Sequence, residues 1–147
     1  MIPRIGEPVV PGKRYRRRPG IYAVLLRGNA VLMTYQSEPK PEYQLPGGGI
    51  DPGEQPVRAL HREVYEETGW RIDTPVRLGA FRRFTFMPEY ELWAEKICHI
   101  YLARPALCLG PPIEPTHHAV WMSLANAIAL AGNEGDAMFL ERLRQSF

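Results

Sequence analysis

Residues 47–70 read GGGIDPGEQPVRALHREVYEETGW, a glycine run leading into a helix-forming segment. The three glycines after Pro46 let the backbone take positive φ and approach a ligand closely. Pro56 suits a first helical position, no proline interrupts the chain up to Thr68, and Gly69 can end a helix in the left-handed conformation. A helix is therefore predicted over Pro56–Thr68, with Gln55 an unhelpful N-cap. Val57, Leu60 and Val64 recur at spacings of three and four and supply one apolar face, while the other faces are charged.

On that helix Glu63, Glu66 and Glu67 stand at i, i+3 and i+4, so their carboxylates share one face in the last turns. Three like charges repel there, and the negative end of the helix dipole adds a few tenths of a kcal/mol against each. Arg62 can pair with Glu66 one turn on but cannot neutralise three carboxylates. A divalent cation can, and an all-oxygen, carboxylate-rich donor set suits Mg²⁺ or Mn²⁺, which keep several waters and bridge to phosphates. The glycine loop, leading toward the helix N-terminus, can add a carbonyl ligand and amides for phosphate oxygens.

Outward from this stretch, Ile21–Leu26 and Val31–Tyr35 read as strands of a hairpin turned at Arg27-Gly28-Asn29-Ala30, with a short extended piece at Tyr43–Leu45. Further strands are predicted over Val76–Phe86, Ile97–Ala103 and Ala119–Met122. Ser123 caps a helix expected to end at Gly132, and a last helix runs from about Asp136 to Leu143. Mixed rather than alternating order points to an α+β fold, an α/β/α sandwich with a mixed sheet between helices. Residues 1–20, rich in proline, read as an irregular lead-in, and 21–147 as one domain.

At 147 residues the chain can bury a core, and 45% hydrophobic with 23% charged residues is ordinary globular composition. No apolar run is long enough for a membrane span, nothing at the N-terminus resembles a signal peptide, and Cys98 and Cys108 make no disulfide framework, so a cytoplasmic protein is expected. Cys98 should simply pack in a strand. Five of the six residues from Lys13 to Arg18 are basic, read first as a solvated arm and second as phosphate contacts.

The stretch resembles the complete signature of the Nudix family: Gly48, five residues, Glu54, seven residues, then Arg62-Glu63-Val64-Tyr65-Glu66-Glu67-Thr68-Gly69-Trp70. A chance match in such a chain is on the order of one in a million. Trp70 stands where the family usually has an aliphatic residue, which implies altered packing, and Gln55 replaces a common Ser or Thr cap. The resemblance implies that Glu63, Glu66 and Glu67 with the Gly47 carbonyl bind metal, that Glu63 can also serve as general base, and that Arg62 and Glu54 orient the carboxylates. Gly48 and Gly49 would contact substrate, and Glu114 is the candidate for the family's further downstream acid.

That acid often precedes a histidine and the last strand, and His117 occupies the position here. His117 and His118 read first as surface or hydrogen-bonded loop residues, and Glu89, Glu91 and Glu95 as solvated on a strand edge. Tyr22, Tyr35, Tyr43, Phe84, Phe86 and Tyr90 are candidates to hold a base. The implied reaction is hydrolysis of a diphosphate linkage in a nucleotide, a nucleoside triphosphate first. Tyr90 and Pro88 fall near, without matching, the positions that mark dinucleoside polyphosphate or ADP-ribose substrates, and RNA 5′ ends stay in view. A homodimer is left open. A non-catalytic nucleotide sensor is the reading from another class, disfavoured because all four glutamates and Arg62 are present.

Overall fold

The computed structural model describes residues 1–146; Phe147, the expected end of the domain, lies outside them. Among the described residues the chain forms β1 (Arg16–Arg27), β2 (Ala30–Gln36), β3 (Glu42–Gln44), β4 (Gly47–Gly49), α1 (Pro56–Thr68), β5 (Trp70–Met87), β6 (Leu92–Cys108), β7 (His117–Ser123), α2 (Leu124–Leu130) and α3 (Glu134–Gln145). The sheet runs β3-β2-β1-β6-β5, with β4 also beside β1 and β7 beside β2. β1 and β6 are parallel and the other pairs antiparallel, so the sheet is mixed, as expected.

β1 is the axis of the molecule because Gly20–Leu25 is buried on both faces. Ile21, Ala23 and Leu25 pack with Leu60 and Val64 of α1, while Tyr22 and Val24 pack with Leu124, Phe139 and Leu140 of α2 and α3. A strand covered on both sides reads as a continuous apolar run rather than an alternating one, which is how this segment reads. Helices on both faces give the α/β/α sandwich. Cys98, as expected, is buried in a strand, β6, and burial pushes its thiol up to about 12. No helix among the described residues is long and apolar enough to cross a membrane.

Element limits differ from expectation where backbone pairing, not side-chain pattern, extends a strand. β1 begins at Arg16, five residues before Ile21, because its ladder with β6 starts at Arg16–Ala94. Pro19 is tolerated inside it. Its carbonyl accepts from Ile50 N–H on the β4 side, so the N–H it lacks faces that side too, where the β4 ladder ends. β5 and β6 form one long hairpin whose ends pair Trp70 with Cys108 and Met87 with Leu92. Val76, Leu78 and Leu107 on it are exposed, so no clean alternation marks its limits.

One bridge ties the lead-in to β5: Arg82 N–H donates to Pro3 O and Ile5 N–H to Arg82 O, covering part of its outer edge, and Glu7 adds an ion pair with Arg83. α2 ends at Leu130 rather than at Gly132, whose N–H instead donates to Tyr43 O.

Gln55 is a better cap than its type suggests. Its Oε1 accepts from Arg58 N–H at 2.9 Å, the longer side chain folding back to do what Ser or Thr would do. Gln55→Ala is expected to cost about 1 kcal/mol in urea unfolding; no change would show the bond to be a surface incident. Gly69 closes α1 at φ 76°, its N–H donating to Tyr65 O, and lies so close to the Gly110 carbonyl that no Cβ fits. Trp70 is accommodated edge-on against Trp121 at 5.8 Å, with the Arg27 guanidinium over both rings.

Candidate active site

The last two turns of α1 lie against β4, and the glycines of β4 make that approach possible. Ala23 N–H donates to Pro46 O, so by the alternation of an antiparallel ladder Gly47 turns its polar groups away from β1. Its N–H donates to Glu67 Oε1 at 3.1 Å. A Cβ on Gly47 would overlap the Ile21 carbonyl, and one on Gly48 would lie 2.5 Å from the Glu63 carboxylate. Only a bare backbone lets the helix carboxylates reach the strand.

Arg62 gathers the remaining acids. Its Nε and one terminal nitrogen hold both oxygens of Glu54 at 2.7 and 2.9 Å, and the other terminal nitrogen donates to Glu63 at 3.0 Å and Glu66 at 3.2 Å. The guanidinium also reaches the Gly49 carbonyl at 3.3 Å. A planar fork with five donors can serve three carboxylates in a way an ammonium cannot.

The Arg62 hydrogen bond holds the Glu54 carboxyl down at about 2, against 4.5 for a free one. A lowered folded value means stability that is present above about pH 4.5 and lost as pH falls toward 2. Glu54→Gln is therefore expected to flatten the acid limb of a stability–pH curve in that window. An acid limb identical to that of the wild type would show that the pair does not contribute.

The helix carboxylates move the other way. Burial pushes Glu63 up, with Arg62 offsetting only part of it. Glu67 is 7% exposed, and burial drives its carboxyl far above the usual range, against a single Gly47 N–H; Glu63, Glu114 and Glu66 push it further. A carboxylate so placed is expensive to ionise unless a cation arrives. The donor set of Glu63, Glu66, Glu67 and the Gly47 backbone is all oxygen, and the lack of a Cβ on Gly48 leaves room beside Glu63, so a hard divalent ion fits these residues. Among the described residues no three such side chains are already closed into a cage. Glu63 and Glu66 each turn an oxygen to Arg62, and Glu67 turns one to Gly47.

Around the sheet edge from these carboxylates a cleft of about 320 Å³ opens on the α2–α3 side, bounded by Gly47–Gly49, Glu67 and His117 at one end. His117 is neither a surface nor a hydrogen-bonded loop residue: it opens β7, both ring nitrogens are buried without a hydrogen-bond partner, and Nε2 lies 3.5 Å from Glu67 Oε2. Burial pushes its pKa down, which favours the neutral imidazole. The only sign of this in the sequence is its place ahead of the last strand. His118 is exposed on the other face of β7.

Glu114 is exposed and anchored by its N–H to the Glu66 carbonyl at 3.2 Å, close enough for its charge to bear on Glu63, Glu67 and His117. Glu95 is not on a strand edge. It lies on the central strand β6, paired with Arg82 at 3.3 Å and Arg17 at 3.7 Å, while Glu89 lines the cleft. Of the six aromatic candidates, Tyr22, Phe86 and Tyr90 reach the cleft. Phe84 packs on Tyr15, and Tyr35 on Tyr43. The basic run divides: Arg18 lines the cleft, Arg17 pairs with Glu95, and Lys13 lies over Trp93.

The structure is similar to solved proteins described as a NUDIX hydrolase from Nitrosomonas europaea (TM-score 0.68, 17% identity, 89% of this chain and 90% of that one) and a MutT NUDIX hydrolase from Burkholderia pseudomallei (TM-score 0.62, 24% identity, 75% and 85%). At these identities they speak for the fold alone. By sequence, 74 residues are 31% identical to a protein of Bacillus subtilis (strain 168) named putative 8-oxo-dGTP diphosphatase, covering 50% of each chain. Another 63-residue match, 40% identical, is to an RNA pyrophosphohydrolase of Mesorhizobium japonicum, covering 37% of this chain and 36% of that one. The chain thus spans half or less of these relatives' length. The family model described as NUDIX domain matches residues 16–143, from the first residue of β1 into α3, and the chain belongs to that family.

Proposed function

We propose that this chain hydrolyses the diphosphate linkage of a nucleoside-diphosphate-linked substrate, with a nucleoside triphosphate or related nucleotide first among the candidates. The observation that supports this most directly is Glu67: a buried carboxylate beside two others, facing a glycine strand at the mouth of a cleft, costs stability and has no structural use that a neutral side chain would not serve. The names of the Bacillus subtilis and Mesorhizobium japonicum relatives bring 8-oxo-dGTP and RNA to this chain as candidate substrates.

Glu63, Glu66, Glu67 and the Gly47 carbonyl would hold Mg²⁺ or Mn²⁺, which when bound would polarise the diphosphate and lower the pKa of an attacking water. Arg62, tied to Glu54, keeps Glu63 and Glu66 on one side of the helix. Glu63, with its pKa raised by burial, is a stronger base than a solvated carboxylate and is suited to take the proton of the water. Gly48 and Gly49 present backbone to the phosphates, and Glu114 stands where it can bear on the same carboxylates. Tyr22, Phe86 and Tyr90 offer surfaces for the base.

The test is release of phosphate or diphosphate from nucleoside triphosphates, 8-oxo-dGTP, dinucleoside polyphosphates, ADP-ribose and RNA 5′ ends, with Mg²⁺ and with EDTA. Turnover of one class, abolished by EDTA, is expected. Nucleotide binding without turnover of any compound would overturn the hydrolase reading in favour of a sensor.

A further inference from the structure

We propose that Arg18, Lys96 and Arg83 form an anion site for a phosphate other than the two of the hydrolysed linkage, a reading that rests on the function proposed above. Lys96 on β6 is in register with Arg18 on β1 and with Arg83 on β5, so three cations stand side by side across three adjacent strands. All three line the same cleft and therefore share a face. Like charges directly opposite one another in a sheet repel, and these are partly buried, where water screens them less.

The neighbouring acids cancel one member of the row and, among the described residues, leave Arg18 and Lys96 unpaired. Glu7 is committed to Arg83, with contacts of 3.0 to 3.3 Å. Asp136 is buried beneath, with Oδ2 held by Leu45 N–H, and its charge bears on Arg83 and Lys96 without an ion pair to either. Glu42 and Glu89 stand on the cleft walls. Among the described residues neither Arg18 nor Lys96 makes a salt bridge; Arg18 lies 4.7 Å over the exposed Tyr90 ring.

The row is one pleat, roughly 7 Å along β1, from Gly20, which pairs with Gly49. One cleft thus offers an oxygen-rich edge at Glu67 and a cationic floor a short step away. A nucleobase edge brings no charge and would leave the repulsion in place, whereas a phosphate removes it and gains charge-assisted hydrogen bonds. The ligand class is a nucleotide carrying one more phosphate, either further along a polyphosphate or on the 3′ side, as at the 5′ end of a polynucleotide.

The experiment is calorimetric titration in EDTA with three probes on one nucleoside: the 5′-diphosphate, the 5′-tetraphosphate, and the 5′-diphosphate bearing a 3′-phosphate. One of the last two is expected to bind about ten-fold tighter than the first, and the margin to vanish in Lys96→Met and in Arg18→Gln. Whichever gains the margin names the source of the phosphate. No margin in the wild type, or equal weakening of all three probes by the variants, overturns the proposal. A margin in EDTA from a protein that hydrolyses nothing with Mg²⁺ would leave this site standing while the hydrolase reading failed.

Discussion

Glu67→Gln is expected to yield a protein that is more stable and almost inactive. The glutamate is 7% exposed, it has one hydrogen-bond donor on Oε1, and three further carboxylates raise its pKa after burial has done so. Glutamine keeps an oxygen for Gly47 N–H and removes the charge, so the gain at neutral pH is about 1–2 kcal/mol, or ~3–6 °C in Tm. The sign follows from the raised pKa. The folded protein holds the proton longer than the unfolded chain, so wild-type stability falls as pH rises from about 4.5 through the folded value. The advantage of the variant should vanish below about pH 4.5 and be full at high pH. Hydrolysis should drop on the order of 10³-fold with the loss of one of the proposed ligands, and added Mg²⁺ should raise Tm in the wild type only. A variant less stable than wild type at pH 8, or one with a tenth of the activity left, would contradict this account.

Gly47→Ala and Gly48→Ala, neighbours in a three-residue strand, should fail in different ways. At Gly47 the φ of 149° disfavours any side chain, and an added Cβ would overlap the Ile21 carbonyl and stand 2.6 Å from Tyr22 Cα. These are backbone atoms of the central strand, which cannot retreat without breaking the ladder at Ile21–Gly48 and Gly20–Gly49. A loss of about 3 kcal/mol or more in denaturant unfolding is expected. At Gly48 the nearest atoms to a Cβ are those of the Glu63 carboxyl, 2.5 to 2.8 Å away, at the end of a side chain that can swing. Stability should change by less than ~1 kcal/mol, while divalent-cation affinity falls about ten-fold as Glu63 is displaced. Equal destabilisation by both substitutions would mean that β4 is held by something other than its fit to β1 and α1.

Much of this was legible in residues 47–70. The helix could be read to the residue, Pro56–Thr68, because its limits are set by local chemistry: a proline at the first position and a glycine that adopts φ 76° at the end. The strand at Ile21–Leu26 was legible from its β-branched and aromatic residues, though not its burial on both faces. The outer reaches of β5 and β6 were not, since Val76, Leu78 and Leu107 are exposed and those segments are held by each other's backbone, which leaves no pattern in side chains. Gln55 was misjudged because capping preferences by residue type describe short side chains, and a longer one can fold back to the same N–H.

Spacing alone placed Glu63, Glu66 and Glu67 on one helix face, because helical periodicity is a local property. Which of them is buried was decided by the sheet edge that α1 meets: Glu67 faces Gly47, while Glu63 and Glu66 turn to Arg62. His117 stands 50 residues along the chain from Glu67 and meets it only because β7 pairs with β2. The row Arg18–Lys96–Arg83 joins three distant segments through the registers of β1, β6 and β5. Local chemistry set the helix, its acids and the strand near Ile21, all through neighbours within a few residues. Which charges lose their water and which stand face to face came from packing, because burial and register are properties of strands that come from far apart in the chain.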